Sequence, residues 1–170
     1  ACATTFELGV PIENIKESLK HFKGVRRRFS IIKTIDDIKI IDDYGHHPME
    51  IKSVLSATRE VTKGKVIAIV QPHRYSRLKF LFDDFTTAFN DADEVFIAEV
   101  YSAGEQEIYD VNSETLINSL KSSGHRNVKA YIGLEDLVNY SKNNIYSGDS
   151  VIFLGAGDIT NWANEFAAKF

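Results

Sequence analysis

Strands that are buried on both faces leave few folds open to a chain, and this sequence contains several. Lys65 to Val70 (KVIAIV), Glu94 to Val100 (EVFIAEV) and Ser150 to Gly155 (SVIFLG) are near-continuous apolar runs, with Asn127 to Ile132 a further strand. A strand exposed on one face alternates apolar with polar residues, so continuous runs of Val, Ile and Phe imply that both faces are covered. Helical stretches separate them: Pro48 to about Thr62, Arg77 to Asn90, a segment beginning after Asn112-Ser113, Leu134 to Lys142, and Ile159 to Lys169. Pro48 suits the first position of its helix, where a missing N–H costs nothing.

A helix and a hairpin come first. Ile12, Ile15, Leu19 and Phe22 share a helical face that Gly24 ends, and Phe29 to Ile35 and Ile38 to Ile41 flank Asp36-Asp37 in a hairpin pattern without the usual turn glycine. The predicted class is therefore α/β: a Rossmann-like three-layer sandwich, with a mostly parallel sheet of about six strands and helices on both faces. A chain of 170 residues, 44% hydrophobic, buries one good core, so one domain is expected. Residues 11–170 are assigned to it, and residues 1–10 read as the tail of a helix from a preceding domain. Phe22, Phe80, Phe82, Phe85 and Phe89 are expected in the core, and Trp162 against the sheet.

Several classes are disfavoured. A net charge of −4 argues against broad nucleic-acid binding. No apolar run approaches the roughly 20 residues of a membrane span, and the first residues lack the basic and apolar regions of a signal peptide. A single cysteine, Cys2, permits no internal disulfide and fits a reducing cytoplasm.

In sheets of this kind ligands bind beyond the carboxyl ends of the strands. The residues found there are Asp42-Asp43-Tyr44-Gly45-His46-His47-Pro48, Gln71-Pro72-His73-Arg74-Tyr75-Ser76-Arg77, Tyr101-Ser102-Ala103-Gly104-Glu105 and Gly155-Ala156-Gly157-Asp158. Three of the five histidines occupy the first two junctions. Polar residues scattered at random would fall at both ends of the strands, so a shared ligand site on this edge is expected.

Each junction also has a plainer explanation. Asp42 and Asp43 can simply solvate a strand end. The adjacent His46 and His47 diverge, and no further Cys/His spacing completes a zinc set, so no metal ligand is assigned. Arg74 and Arg77 lie one turn apart if a helix begins here, which places a guanidinium fork for carboxylate or phosphate oxygens near a helix N-terminus. Gly155-Ala156-Gly157 is too short for a dinucleotide fingerprint and is expected to permit close backbone approach. Of Arg26, Arg27 and Arg28, two are expected to face solvent while one reaches a phosphate. There is no GxxxxGK[ST] loop, so any nucleotide must have its phosphates cradled largely elsewhere.

GVRRRF (Gly24 to Phe29), DDYGHHP, QPHRYSR, EVYSAGE and GAGD occur in this order over essentially the whole chain. In these motifs the sequence resembles the C-terminal domain of the Mur ligase family, most specifically its alanine-adding branch; Met49 departs from the threonine that commonly follows HHP. The resemblance implies one part of a three-domain peptidoglycan-synthesis enzyme that uses ATP and Mg²⁺, both held mainly by a central domain. It implies UDP-N-acetylmuramate and L-alanine as substrates, the two preceding domains of the polypeptide as partners, and no activity from this domain alone. Arg28 and Asp43 match catalytic, nucleotide-directed positions, while Tyr44, His46, His73, Arg74 and Arg77 match the part that faces the muramyl-alanine end. The alternatives are a ligase for another first amino acid or for recycled muramyl peptides, a stand-alone metal-dependent phosphoesterase using His46, His47 and His73, and a non-catalytic nucleotide-binding or interaction module.

Overall fold

The computed structural model describes residues 1–22 and 24–170. Two helices, α1 (Cys2–Glu7) and α2 (Ile12–His21), precede the hairpin β1 (Ser30–Ile35) and β2 (Ile38–Asp43). Then follow α3 (Pro48–Glu60), β3 (Val66–Val70), α4 (Tyr75–Phe80), α5 (Phe82–Phe85), β4 (Glu94–Ile97), α6 (Ser113–Ser122), β5 (Val128–Ala130), α7 (Leu134–Asn144), β6 (Ser150–Leu154) and α8 (Ile159–Lys169). One six-stranded sheet has the order β1-β2-β6-β3-β4-β5, antiparallel only at the β1–β2 edge. β6 enters last and wedges between β2 and β3, so the carboxyl ends of β2, β6, β3 and β4 lie side by side.

The continuous apolar runs work as the sequence predicts. Along β3, Val66, Ala68 and Val70 join a cluster with Leu55 of α3, Leu78 of α4 and Phe85 of α5, while Ile67 and Ile69 join Leu137 of α7 and Phe166 of α8 on the other face. The alternation of side chains across a strand divides one apolar run between two cores. Trp162 stacks on Tyr131, with ring centroids 4.9 Å apart.

The hairpin turn manages without glycine because Asp36 and Asp37 both adopt positive φ, 48° and 63°. Aspartate tolerates that conformation, which gives the turn the twist its strands need. Asp42 and Asp43, read from sequence as following the strand, are its last two residues and pair with Phe153 and Leu154.

Three other expectations are corrected. The single helix expected from Arg77 to Asn90 is two short ones, broken at Leu81, with turns after Phe85. There the Thr86 and Thr87 hydroxyls donate to the Asp83 and Asp84 carbonyls, an alternative to continuing the helix. Phe85 and Phe89 are buried, but Phe80 is 84% exposed at the end of α4 and Phe22 is 63% exposed just past α2. The strand expected from Asn127 to Ile132 is only Val128–Ala130.

Candidate active site

Asp43 ends β2 almost wholly enclosed, at 2% exposure. Its Oδ2 accepts the Phe29 N–H and its Oδ1 the Gly45 N–H, each at 2.6 Å. Phe29 has φ +48°, a costly conformation for an aromatic residue that the carboxylate helps to hold. Asp43 thus ties the entry to the hairpin to the loop that leaves it.

Beyond the latch, the chain turns into α3 through a capping box. His47 Nδ1 accepts the Met49 N–H at 3.3 Å, and Glu50 Oε2 accepts the N–H groups of His46 and His47 at 3.1 and 3.2 Å. That arrangement explains the second histidine: it is the N-cap. Burial alone would raise the Glu50 carboxyl, but the two amide donors, with His46 and Arg28, hold it below the usual glutamate range. Arg28 reaches Glu50 at 3.8 Å with half of its side chain in solvent.

Arg27, rather than Arg28, is the anchored member of the basic run. Its Nη2 donates to the Gly155 and Gly157 carbonyls at 2.7 and 3.2 Å, and its guanidinium carbon lies 4.7 Å from the Tyr44 ring centroid. A Cβ on Gly157 would meet Gln71 Oε1 at 2.4 Å and the Tyr101 ring at 2.7 Å, so this loop passes where no side chain fits. Asp42 sits beside Arg27 at 3.9 Å and accepts from the Thr160 hydroxyl at 2.7 Å; burial pushes its carboxyl up.

At the end of β3, the backbone of 72–74 pairs with Tyr101: the Tyr101 N–H donates to the Pro72 carbonyl and the Arg74 N–H to the Tyr101 carbonyl, each at 2.8 Å. Arg74 is the N-cap of α4 with φ +73°, so its side chain leaves in a direction no helical residue takes. The expected Arg74–Arg77 fork therefore does not form as one unit. Arg77 folds back, its Nη1 2.7 Å from the His73 carbonyl and 3.1 Å from His73 Nδ1. Arg74, half exposed, lies 3.9 Å from Glu105, whose carboxylate accepts from the Ser76 hydroxyl and amide. Those Ser76 bonds hold Glu105 below the usual range. Burial, then the charges of Arg77, His46 and Arg74, keep His73 below the ordinary imidazole value.

The rings of four residues make a continuous row across this edge. Tyr44 meets His46 edge-on at 5.3 Å, His46 meets His73 at 5.7 Å, and His73 stacks on Tyr101 at 5.3 Å. The site residues expected from sequence therefore converge, with Arg28 at one end and Arg74 and Arg77 at the other; Asp43 stands behind them as a support. Sequence reasoning placed Tyr101 and Glu105 on this edge without a role, left open which of Arg26, Arg27 and Arg28 is anchored, and missed Glu50. A signal existed for Glu50, three residues after the cap and two after Pro48. Among the described residues no three His, Cys, Asp or Glu side chains are grouped to hold a metal ion.

The family model described as Mur ligase, glutamate ligase domain, matches residues 27–157, from Arg27 to the glycine it grips. The UDP-N-acetylmuramate–L-alanine ligase of Bartonella henselae is 53% identical over 163 residues, 96% of this chain and 34% of that protein. The crystal structure of the UDP-N-acetylmuramate–alanine ligase of Thermotoga maritima superposes with TM-score 0.78 over 98% of this chain and 35% of that one, at 31% identity. The MurF ligase of Thermotoga maritima, solved in complex with ADP, shares the fold with TM-score 0.57 at 15% identity, covering 88% of this chain and 32% of that one. The chain spans about a third of the length of the curated relatives it matches. With its mostly parallel sheet, its ring row and the family match running through both, this chain belongs to the Mur ligase family.

Proposed function

We propose that this chain is the C-terminal part of an ATP-dependent ligase that joins L-alanine to UDP-N-acetylmuramate. The observation that carries the reading is the Tyr44–His46–His73–Tyr101 row, flanked by half-exposed guanidinium groups at Arg28 and Arg74. It supplies cationic groups for anions at both ends and ring donors and acceptors between them. The reaction this suits activates the lactyl carboxylate as an acyl phosphate, which the alanine amine then attacks. Such chemistry depends on positioning and anion neutralisation more than on a protein nucleophile.

In this reading Arg28 meets the nucleotide phosphates, with enough of its side chain in solvent to do so. Asp43 acts on the nucleotide wall indirectly, since both of its oxygens hold backbone amides. Tyr44, His46, His73 and Arg74 face the muramyl-alanine end, and Arg77 orients His73. The acidic groups here do not fit a magnesium site: Asp43 is committed to the latch and Asp42 is buried beside Arg27 and Thr160. We therefore assign Mg²⁺ and most of the phosphate contacts to the preceding domains. The exposed apolar side chains of Phe6, Leu8, Leu19 and Phe22 are the surface we assign to those domains. No helix of the described residues is long and apolar enough to cross a membrane, which accords with a cytoplasmic enzyme drawing on cytoplasmic ATP.

Arg77→Ala in the full-length enzyme tests the assignment. It is expected to raise KM for alanine or lower kcat while leaving KM for ATP unchanged. An equal loss in the use of ATP would remove Arg77 and His73 from the acceptor end.

A further inference from the structure

The two histidines in the row are held by opposite kinds of partner. His46 Nδ1 lies 2.9 Å from the Tyr44 carbonyl oxygen and 3.5 Å from Glu50 Oε2. Both are acceptors only, so Nδ1 carries a proton, and in the neutral ring Nε2 is the bare lone pair. His73 is inverted. Its Nδ1 lies 3.1 Å from Arg77 Nη1, and a guanidinium can only donate. His73 Nδ1 therefore keeps the lone pair, and the neutral ring carries its proton on Nε2.

The neighbours of the two rings differ as well. Glu50 stands beside the Nδ1–H of His46, as a carboxylate stands behind the imidazole of a catalytic triad, and helps to fix that tautomer. Arg28 lies 3.8 Å from the other oxygen of Glu50. His73 faces Arg77, Arg74 and His46, with Glu105 an opposing carboxylate, and its environment disfavours a positive ring. The two imidazoles lie 5.7 Å apart between centroids, close enough to act on one reacting centre.

We propose that His46 and His73 are a fixed acceptor–donor pair for amide formation: His46 Nε2 takes the proton of the attacking amine while His73 Nε2–H donates to an oxygen of the acyl phosphate. The proposal rests on the ligase reading. In the step, the amine lone pair forms the C–N bond, and the C–O bond to phosphate breaks with its electron pair leaving on phosphate. The surplus proton on nitrogen passes to His46 Nε2 and then to the released phosphate, with no change of oxidation state. Arg77 and Glu50 are positioning residues that set which nitrogen each ring presents.

Two measurements on the full-length enzyme test it. Long-range ¹H–¹⁵N spectra of histidine-labelled enzyme at mildly alkaline pH, assigned through His46→Gln and His73→Gln, are expected to show His46 protonated on Nδ1 and His73 on Nε2. The same tautomer at both positions would overturn the pair. In the second, hydroxylamine traps acyl phosphate from ATP and UDP-N-acetylmuramate without alanine. His46→Gln is expected to lower alanine-dependent amide formation roughly 10²–10⁴-fold, the range of a lost general base, and by far more than it lowers hydroxamate formation. Equal loss of both would overturn the role of His46. Hydroxamate missing from the wild-type enzyme as well would instead refute the ligase reading.

Discussion

Replacing Asp43 by alanine should act on stability before it acts on any ligand. The carboxylate accepts two backbone N–H groups at 2.6 Å in a nearly closed setting, and alanine leaves both without a partner. Hydrogen bonds to a charged group contribute about 1.5–3 kcal/mol each, so the loss is about 3–6 kcal/mol. Relaxation of Phe29 from its strained φ of +48° returns a small part of it. That is a large share of a domain stability of about 5–15 kcal/mol and lowers the melting point by roughly 6–24 °C. Asp43→Asn should lose about half as much, because the amide keeps one acceptor and turns a donor against the other N–H. Urea denaturation of the chain, followed by circular dichroism, reads both variants. Stability of Asp43→Ala within about 0.5 kcal/mol of wild type would refute the latch; a loss of nucleotide affinity alongside it would make Asp43 a direct ligand contact.

Phe89→Ala, in the core, is expected to cost about 3–5 kcal/mol, while Phe80→Ser on the open side of α4 changes stability by less than about 0.5 kcal/mol in the same assay. His73 gives a pH dependence of definite sign. Its folded pKa lies below the unfolded value near about 6.5, so in the window between them the unfolded chain binds the proton that the folded chain resists. Stability contributed by this group is thus present above that window and lost as pH falls through it. Denaturation midpoints measured on both sides should show the loss, and His73→Gln should flatten it.

The sheet was legible because a run such as VIAIV can satisfy both faces only in the interior of a layered fold. The gathering of polar and charged side chains on one edge was legible for a related reason: residues that follow neighbouring parallel strands are carried to the same side of the sheet. What escaped the sequence depended on directions rather than identities. Phe80 and Phe89 are alike in type and helical spacing, and the break at Leu81 is what turns one outward and the other inward. Arg27 and Arg28 are adjacent and identical, yet positive φ at Arg27 aims one at the Gly155 carbonyl and leaves the other open. Arg74 and Arg77 have fork spacing, but Arg74 lies before the helix, so the spacing does not apply. His47 is an uncommon N-cap, and its role emerges only with Glu50 bonded to both histidine amides.

The central claim is tested most directly by mass spectrometry of the full-length polypeptide's products with ATP, Mg²⁺, UDP-N-acetylmuramate and an equimolar mixture of L-alanine, glycine and L-serine. The account predicts ADP and phosphate in step with one dominant new amide, UDP-N-acetylmuramoyl-L-alanine. A different dominant amino acid, or ATP cleavage without any amide product, would contradict it.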